Sequence, residues 1–89
     1  MGGGLGRPVP RIHRVILPKV DVAMESGLVS RWLKREGDRV SRGEVIALVE
    51  TEKAQVEVVS EVDGRLSRII HGEGDEVPVG DVIAEVEVE

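Results

Sequence analysis

Slid along itself by 37 positions, the chain meets a second copy of itself. Residues 27–50, GLVSRWLKREGDRVSRGEVIALVE, lie over residues 64–87, GRLSRIIHGEGDEVPVGDVIAEVE, without a gap, and more than half of the aligned positions are identical. Gly27 falls on Gly64, Glu36-Gly37-Asp38 on Glu73-Gly74-Asp75, Gly43 on Gly80, and Val45-Ile46-Ala47 on Val82-Ile83-Ala84. A fixed offset of this kind marks two copies of one supersecondary unit. In 89 residues there is material for one small core and not for two, so the copies must share it.

Each copy reads as short strands between turn signals, which predicts an all-β flattened barrel of two four-stranded antiparallel sheets with internal pseudo-twofold symmetry. A strand leads to a turn at Gly27 or Gly64. A second strand follows, at about 28–34 or 65–71. The Glu-Gly-Asp triplet then turns the chain, with Gly37 or Gly74 supplying a positive φ and Asp38 or Asp75 bonding nearby backbone. Val40 and Val77 form short bridging strands. Gly43 or Gly80 turns into a last strand, 45–50 or 82–88. Along VIAEVEVE, period two turns Val82, Ala84, Val86 and Val88 inward, and Ile83 with the glutamates outward. The same parity turns Val45, Ala47 and Val49 inward. The second strand is less regular: Val29, Arg31 and Leu33 share a parity that would bury an arginine unless a bulge intervenes.

Composition narrows the function. Trp32 is the one aromatic residue, so valine, isoleucine and leucine must build the core, and Trp32 itself reads as a partly buried strand residue. There is no cysteine, so any thiol chemistry must be attached. Arg7, Arg11 and Arg14 lie near the start. From Val15 on, nine basic residues face seventeen acidic ones, leaving −8 on that part. Such a body suits basic protein surfaces and is unsuited to nucleic acid, which needs cations and stacking rings. No apolar run is long enough for a membrane span. His13 and His71 lack matched metal-ligand spacing and read as surface residues. Residues 1–13, rich in Gly, Pro and Arg, read as a flexible leader or tag remnant. Residues 14–89 read as the domain, with halves at about 15–52 and 53–89.

The repeat also places one lysine. Lys53 lies in VETEKAQVE, at the link between the halves, whereas the equivalent link of the other half is where the chain begins and ends. Pseudo-twofold symmetry therefore sets Lys53, fully exposed on a hairpin tip, at the pole opposite both termini. The loop 18–26 should lie near it, as the counterpart of the chain that follows Lys53. Paired carboxylates for acid–base catalysis would need a cleft, which a thin valine-cored barrel does not offer.

ETEKA, residues 50–54, resembles the E-T-D-K-A lipoylation motif of lipoyl domains from the E2 acyltransferases of 2-oxo acid dehydrogenase complexes. The resemblance extends from Leu17 to Glu87. It includes Gly37, Asp38, Val40 and Gly43 before the lysine and Val62-Asp63-Gly64 after it. The opening Leu17-Pro18-Lys19 stands where Met-Pro-Lys is common, Asp21 where a glycine is common, and Glu61 where proline is frequent. The resemblance implies a carrier that is not an enzyme by itself. Lipoate would be joined to Lys53 by a lipoate ligase or a lipoyl/octanoyl transferase. The arm would be reductively acylated by a thiamine-diphosphate (E1) dehydrogenase, unloaded to coenzyme A by the E2 catalytic core, and reoxidised by the flavin E3 dihydrolipoyl dehydrogenase. It further implies that Glu50, Thr51, Glu52 and Ala54 frame the lysine for its modifying enzyme. It implies too that Asp21, Val22, Met24 and Glu25 help the dehydrogenase choose its carrier, and that the protein is cytoplasmic, or in the mitochondrial matrix of a eukaryote.

Three other readings share the architecture. A biotin carrier would flank its lysine with methionines, but Met1 and Met24 stand elsewhere. The glycine-cleavage carrier is usually longer, with added helices. An unmodified barrel serving as a protein-contact module, as in membrane-fusion adaptors, would insert a helical hairpin where these halves meet directly. The sequence reads as an excised domain or a stand-alone carrier, and it leaves the 2-oxo acid open, with a slight lean in the 24–25 loop towards pyruvate or acetoin.

Overall fold

The computed structural model describes residues 9–89, all of them strand, turn or loop. Residues 1–8 of the expected leader lie outside the described residues. The strands are β1 (Ile12–Ile16), β2 (Ser26–Trp32), β3 (Arg39–Val40), β4 (Val45–Glu50), β5 (Gln55–Val59), β6 (Gly64–Ile69), β7 (Glu76–Pro78) and β8 (Val82–Val88). They form two antiparallel four-stranded sheets, in the orders β1-β8-β6-β3 and β5-β4-β2-β7. β1 begins two residues ahead of the expected domain start, because Ile12 and His13 pair with Glu87 and Val86.

The sheet orders show how the copies interlock. Each half lends its first and third strands to the sheet built on the other half's second and fourth. Neither half can close a sheet without its twin, which is why the core is shared. That core is itself duplicated: Val29 and Leu66, Val40 and Val77, Ile46 and Ile83, Ala47 and Ala84, and Val49 and Val86 are all 0% exposed. Trp32 packs partly buried against it and donates its indole N–H to the His71 carbonyl at 2.8 Å.

Bulges set the faces, and they correct the simple alternation. Ile46 has no opposite residue in β5, which pairs Val45 with Val59 and Ala47 with Val58. Ile83 is skipped likewise between Val82 and Ala84 along β1. The extra residue lets two consecutive side chains turn inward, so Ile46 and Ile83 are buried while Val45, Val82 and Val88 are only partly so. Further bulges fall at Ser30 and Ser67. They put Val29 and Leu66 inside and keep Arg31 and Arg68 in water. Both serine hydroxyls donate to the neighbouring strand, to Leu48 O at 3.1 Å and Glu85 O at 3.0 Å.

Gly27 and Gly64 are not turn residues. Both are buried within strands, β2 and β6. What requires glycine there is close approach: a Cβ on Gly64 would collide with the Glu87 carbonyl oxygen, and one on Gly27 with Val49 Cγ1. By contrast Gly37 and Gly74 take φ of 96° and 93°, and Gly43 and Gly80 take 87° and 91°. Asp38 accepts the Arg35 N–H at 2.9 Å, and Asp75 faces His71 Nδ1 at 3.3 Å.

The glutamate of each Glu-Gly-Asp triplet reaches into the other half. Glu36 Oε2 accepts the Ile69 N–H at 2.7 Å, and Glu73 Oε2 accepts the Trp32 N–H at 3.0 Å. Gly37 N–H bonds Leu66 O and Gly74 N–H bonds Val29 O, at 2.7 and 2.8 Å. The triplets are therefore rivets between the copies as well as turns.

Candidate functional site

β4 and β5 close with Glu50 opposite Gln55, leaving residues 51–54 as the hairpin tip. Thr51 shapes it. Its hydroxyl accepts the N–H groups of Lys53 and Ala54 at 3.3 and 3.1 Å and lies 2.9 Å from the Ala54 carbonyl, which also accepts the Thr51 N–H. A β-branched hydroxyl residue suits the place, stiff at χ1 and able to bond local backbone. The resemblance implies that Thr51 helps frame the lysine for its modifying enzyme; in the structure it orders the tip. Glu50, Glu52 and Ala54 are exposed around it.

β5 runs from this tip to residues 60–63, where Asp63 O accepts the Glu89 N–H at 3.0 Å, while Arg11 O accepts the Val88 N–H at 2.8 Å. Lys53 thus stands at the pole opposite Arg11 and Glu89. The symmetry is close in detail. The bond from Val88 N–H to Arg11 O mirrors that from Thr51 N–H to Ala54 O, so residues 11 and 88 lie where the twin half has its lysine hairpin.

The loop 17–25 forms a wall beside the tip. It is fixed at one end by Leu17, 1% exposed and bonded to Asp81 and Gly80. At the other end Glu25 O accepts the Val79 N–H at 2.9 Å and Met24 is buried. Between them Val22 stands 92% exposed. The loop's counterpart is not the chain after Lys53. Leu17 and Ser60 hold equivalent places, accepting the Gly80 and Gly43 N–H groups, and the chain then reaches Gly27 in ten residues but Gly64 in four. The counterpart is therefore the turn 60–63 at the other pole, and the stretch 17–26 carries six residues that its twin lacks.

Lys53 keeps 69% of its side chain in solvent, and its Nζ is 3.5 Å from Asp21 Oδ2. The amine is reachable, but it has a partner that the hairpin alone does not reveal. Asp21, Met24, Glu25, Glu52, Lys53 and Glu76 line an open cleft of about 370 Å³. The barrel therefore does carry a cleft, because the longer loop builds one. Its polar lining includes four carboxylates and one cation, Lys53. Ser26 Oγ donates to Glu76 at 2.9 Å, fixing the far wall. Away from this pole, the Lys34 ammonium and the Ser41 N–H hold the Glu44 carboxyl below the usual range.

Residues 13–86 match the sequence family described as Biotin-requiring enzyme, the biotin/lipoyl family. Over 51 residues, 57% of the chain, it is 47% identical to the dihydrolipoyllysine-residue acetyltransferase component of the pyruvate dehydrogenase complex of Rickettsia typhi, covering 13% of that protein. Over 50 residues, 56% of the chain, it is 48% identical to the pyruvate dehydrogenase E1 component subunit beta of Rhizobium meliloti, covering 11%. The chain thus spans about an eighth of the length of these relatives. Among solved structures, the lipoyl domain of the 2-oxoglutarate dehydrogenase complex from Azotobacter vinelandii superimposes with a TM-score of 0.64 at 31% identity, over 81% of this chain and 94% of that one.

Proposed function

The chain belongs to the biotin/lipoyl family as a lipoyl domain, and from that premise we propose that Lys53 is its attachment point and that the domain carries acyl groups within a 2-oxo acid dehydrogenase complex. The observation that carries this reading is the exposed amine on a Thr51-ordered tip, at the pole opposite Arg11 and Glu89. The site fits the group: Nζ reaches solvent, and small Ala54 leaves room beside it. Amide-linked lipoate would supply the dithiolane chemistry of accepting and releasing an acyl group.

What the chain's own residues contribute is position. Thr51 fixes the backbone from which the side chain departs. Glu50 and Glu52 present an acidic frame to the lipoate ligase or lipoyl/octanoyl transferase. The loop residues Asp21, Val22 and Glu25, held by buried Met24, offer an E1 dehydrogenase a surface of apolar and acidic groups. Tethering raises the effective concentration of the carried group at the E1, E2-core and E3 active sites, so the domain needs no catalytic group of its own. The relatives favour a pyruvate-type complex, in the cytoplasm or, in a eukaryote, the mitochondrial matrix.

Incubation with lipoate, ATP and a lipoate ligase tests the assignment by intact mass. One lipoyl group is expected on the native domain and none on Lys53→Arg. A parallel reaction with biotin and a biotin ligase is expected to leave the mass unchanged. Modification that persists in Lys53→Arg, or biotin taken up in place of lipoate, would overturn it.

A further inference from the structure

We propose that Asp21 and Lys53 form a clasp between the loop 17–25 and the lysine hairpin that opens when the lysine is acylated, so that the loop registers whether the domain has been loaded. The proposal rests on the carrier reading for the identity of the acyl group, and on geometry for the clasp.

The Asp21 carboxylate serves two segments at once. Oδ1 accepts the Ala23 N–H at 2.9 Å, while the Asp21 carbonyl accepts the Met24 N–H at 3.0 Å, so the side chain is fixed within a tight turn of its own loop. Oδ2 is left to face Lys53 Nζ at 3.5 Å. The loop is anchored at its two ends, by Leu17 and by Glu25, and between them Val20 and Val22 are 57% and 92% exposed. Asp21 therefore ties the hairpin to the loop's exposed middle.

Acylation removes one partner. The Lys53 ammonium releases a proton, and the amine attacks the carbonyl carbon of an activated acyl donor such as an acyl adenylate. A C–N bond forms, the C–O bond to the phosphate breaks, the nucleotide leaves, and the nitrogen gives up a second proton. The product amide is neutral and cannot hold the carboxylate as an ion pair. Asp21 is then left in a cleft lined by Glu25, Glu52 and Glu76 with no cation among them. Of these carboxylates Glu52 stands on the hairpin, and its repulsion of Asp21 across the cleft favours movement of the loop away from the hairpin. The enzyme that loads Lys53 meets the clasp closed. An enzyme that uses the loaded arm meets Asp21 free to accept a cation of its own.

The test reads each residue on the segment opposite it, by amide resonances of the ¹⁵N-labelled domain. Lys53→Gln should shift the Ala23 and Met24 amides, and Asp21→Asn should shift those of Lys53 and Ala54. Lys53→Arg, which keeps the charge, should stay close to the native positions. Lipoylation should move the Ala23 and Met24 amides the same way as Lys53→Gln. Added salt should drive the unmodified domain towards the Lys53→Gln positions and leave that variant itself unmoved. Unchanged loop amides in Lys53→Gln would overturn the clasp, as would equal shifts in Lys53→Arg. Because Lys53→Gln needs no lipoate, a domain that cannot be lipoylated but shows these shifts would refute the carrier reading and leave the clasp standing.

Discussion

The two poles of the barrel are built from equivalent pieces and differ in two places. At one pole the fourth strand of a half runs through residues 51–54 into the next strand, and the first-to-second strand connection is the loop 17–25. At the other pole the equivalent fourth strand ends at the C-terminus, and the equivalent connection is the turn 60–63. The second half makes the same connection with the short turn, whereas the longer loop also places Leu17 and Met24 in the core. The six extra residues bury Met24 but expose Val20 and Val22 and bring Asp21 to Lys53. The exposed middle of this loop stands beside Lys53, and recognition is the role proposed for it above.

Cutting residues 18–26 to the length and sequence of residues 61–63, which removes six residues and keeps buried Leu17, puts this contrast to its hardest test. The shortened domain should still fold by circular dichroism and still accept lipoate, while reductive acylation by its dehydrogenase falls at least ~10-fold, about 1.4 kcal/mol of transition-state recognition. An unfolded product would show that the loop is structural and end the comparison.

The glycine pair gives the next largest effect and tests the symmetry itself. Gly64→Ala meets a backbone carbonyl that cannot turn aside, whereas Gly27→Ala meets a valine methyl that can rotate. Urea denaturation should show a loss of about 3 kcal/mol for Gly64→Ala and about 1 kcal/mol for Gly27→Ala. Equal losses would mean that the two approaches are equally rigid.

The glutamate rivets should behave alike. Glu36→Ala and Glu73→Ala each remove one carboxylate bond to a backbone N–H across the pseudo-twofold, at a cost of about 1 kcal/mol apiece by the same measurement. A twofold disparity or more would show that one half leans on the other.

The smallest effect lies where symmetry fails in chemistry. Lys34 and Glu44 pair at 2.9 Å, while the equivalent positions carry His71 and Asp81. The Glu44 carboxyl is held low in the fold by the Lys34 hydrogen bond first and the Ser41 N–H second. A depressed carboxyl stabilises above its unfolded pKa, and that contribution disappears as pH falls through the lower folded value. Glu44→Gln should therefore cost a small amount at neutral pH and nothing measurable once the native carboxyl is protonated. Melting curves across pH 2 to 7 would detect it.

Much of this was legible because it is local or repeated. The offset of 37 announced two copies, the glycines of the Glu-Gly-Asp triplets announced positive φ, and the place of Lys53 between the copies announced a tip opposite the ends. Ile46 and Ile83 defeated the period-two pattern because a bulge is a property of two strands, and neither strand's sequence states where its partner slips. The counterpart of loop 17–25 was misplaced because one offset was carried through a region where the copies differ in length.

By itself, then, the sequence determined the duplicated all-β unit, its shared valine-rich core and the lysine at the turn between copies, since strand periodicity, turn chemistry and repetition act over a few residues. Only the tertiary structure decided which isoleucines face inward, why Gly27 and Gly64 can carry no side chain, that Glu36 and Glu73 bind the opposite half, and that Asp21 lies against Lys53. Each of these depends on a group distant in sequence that arrives only when the sheets close, and no local pattern encodes a distance to it.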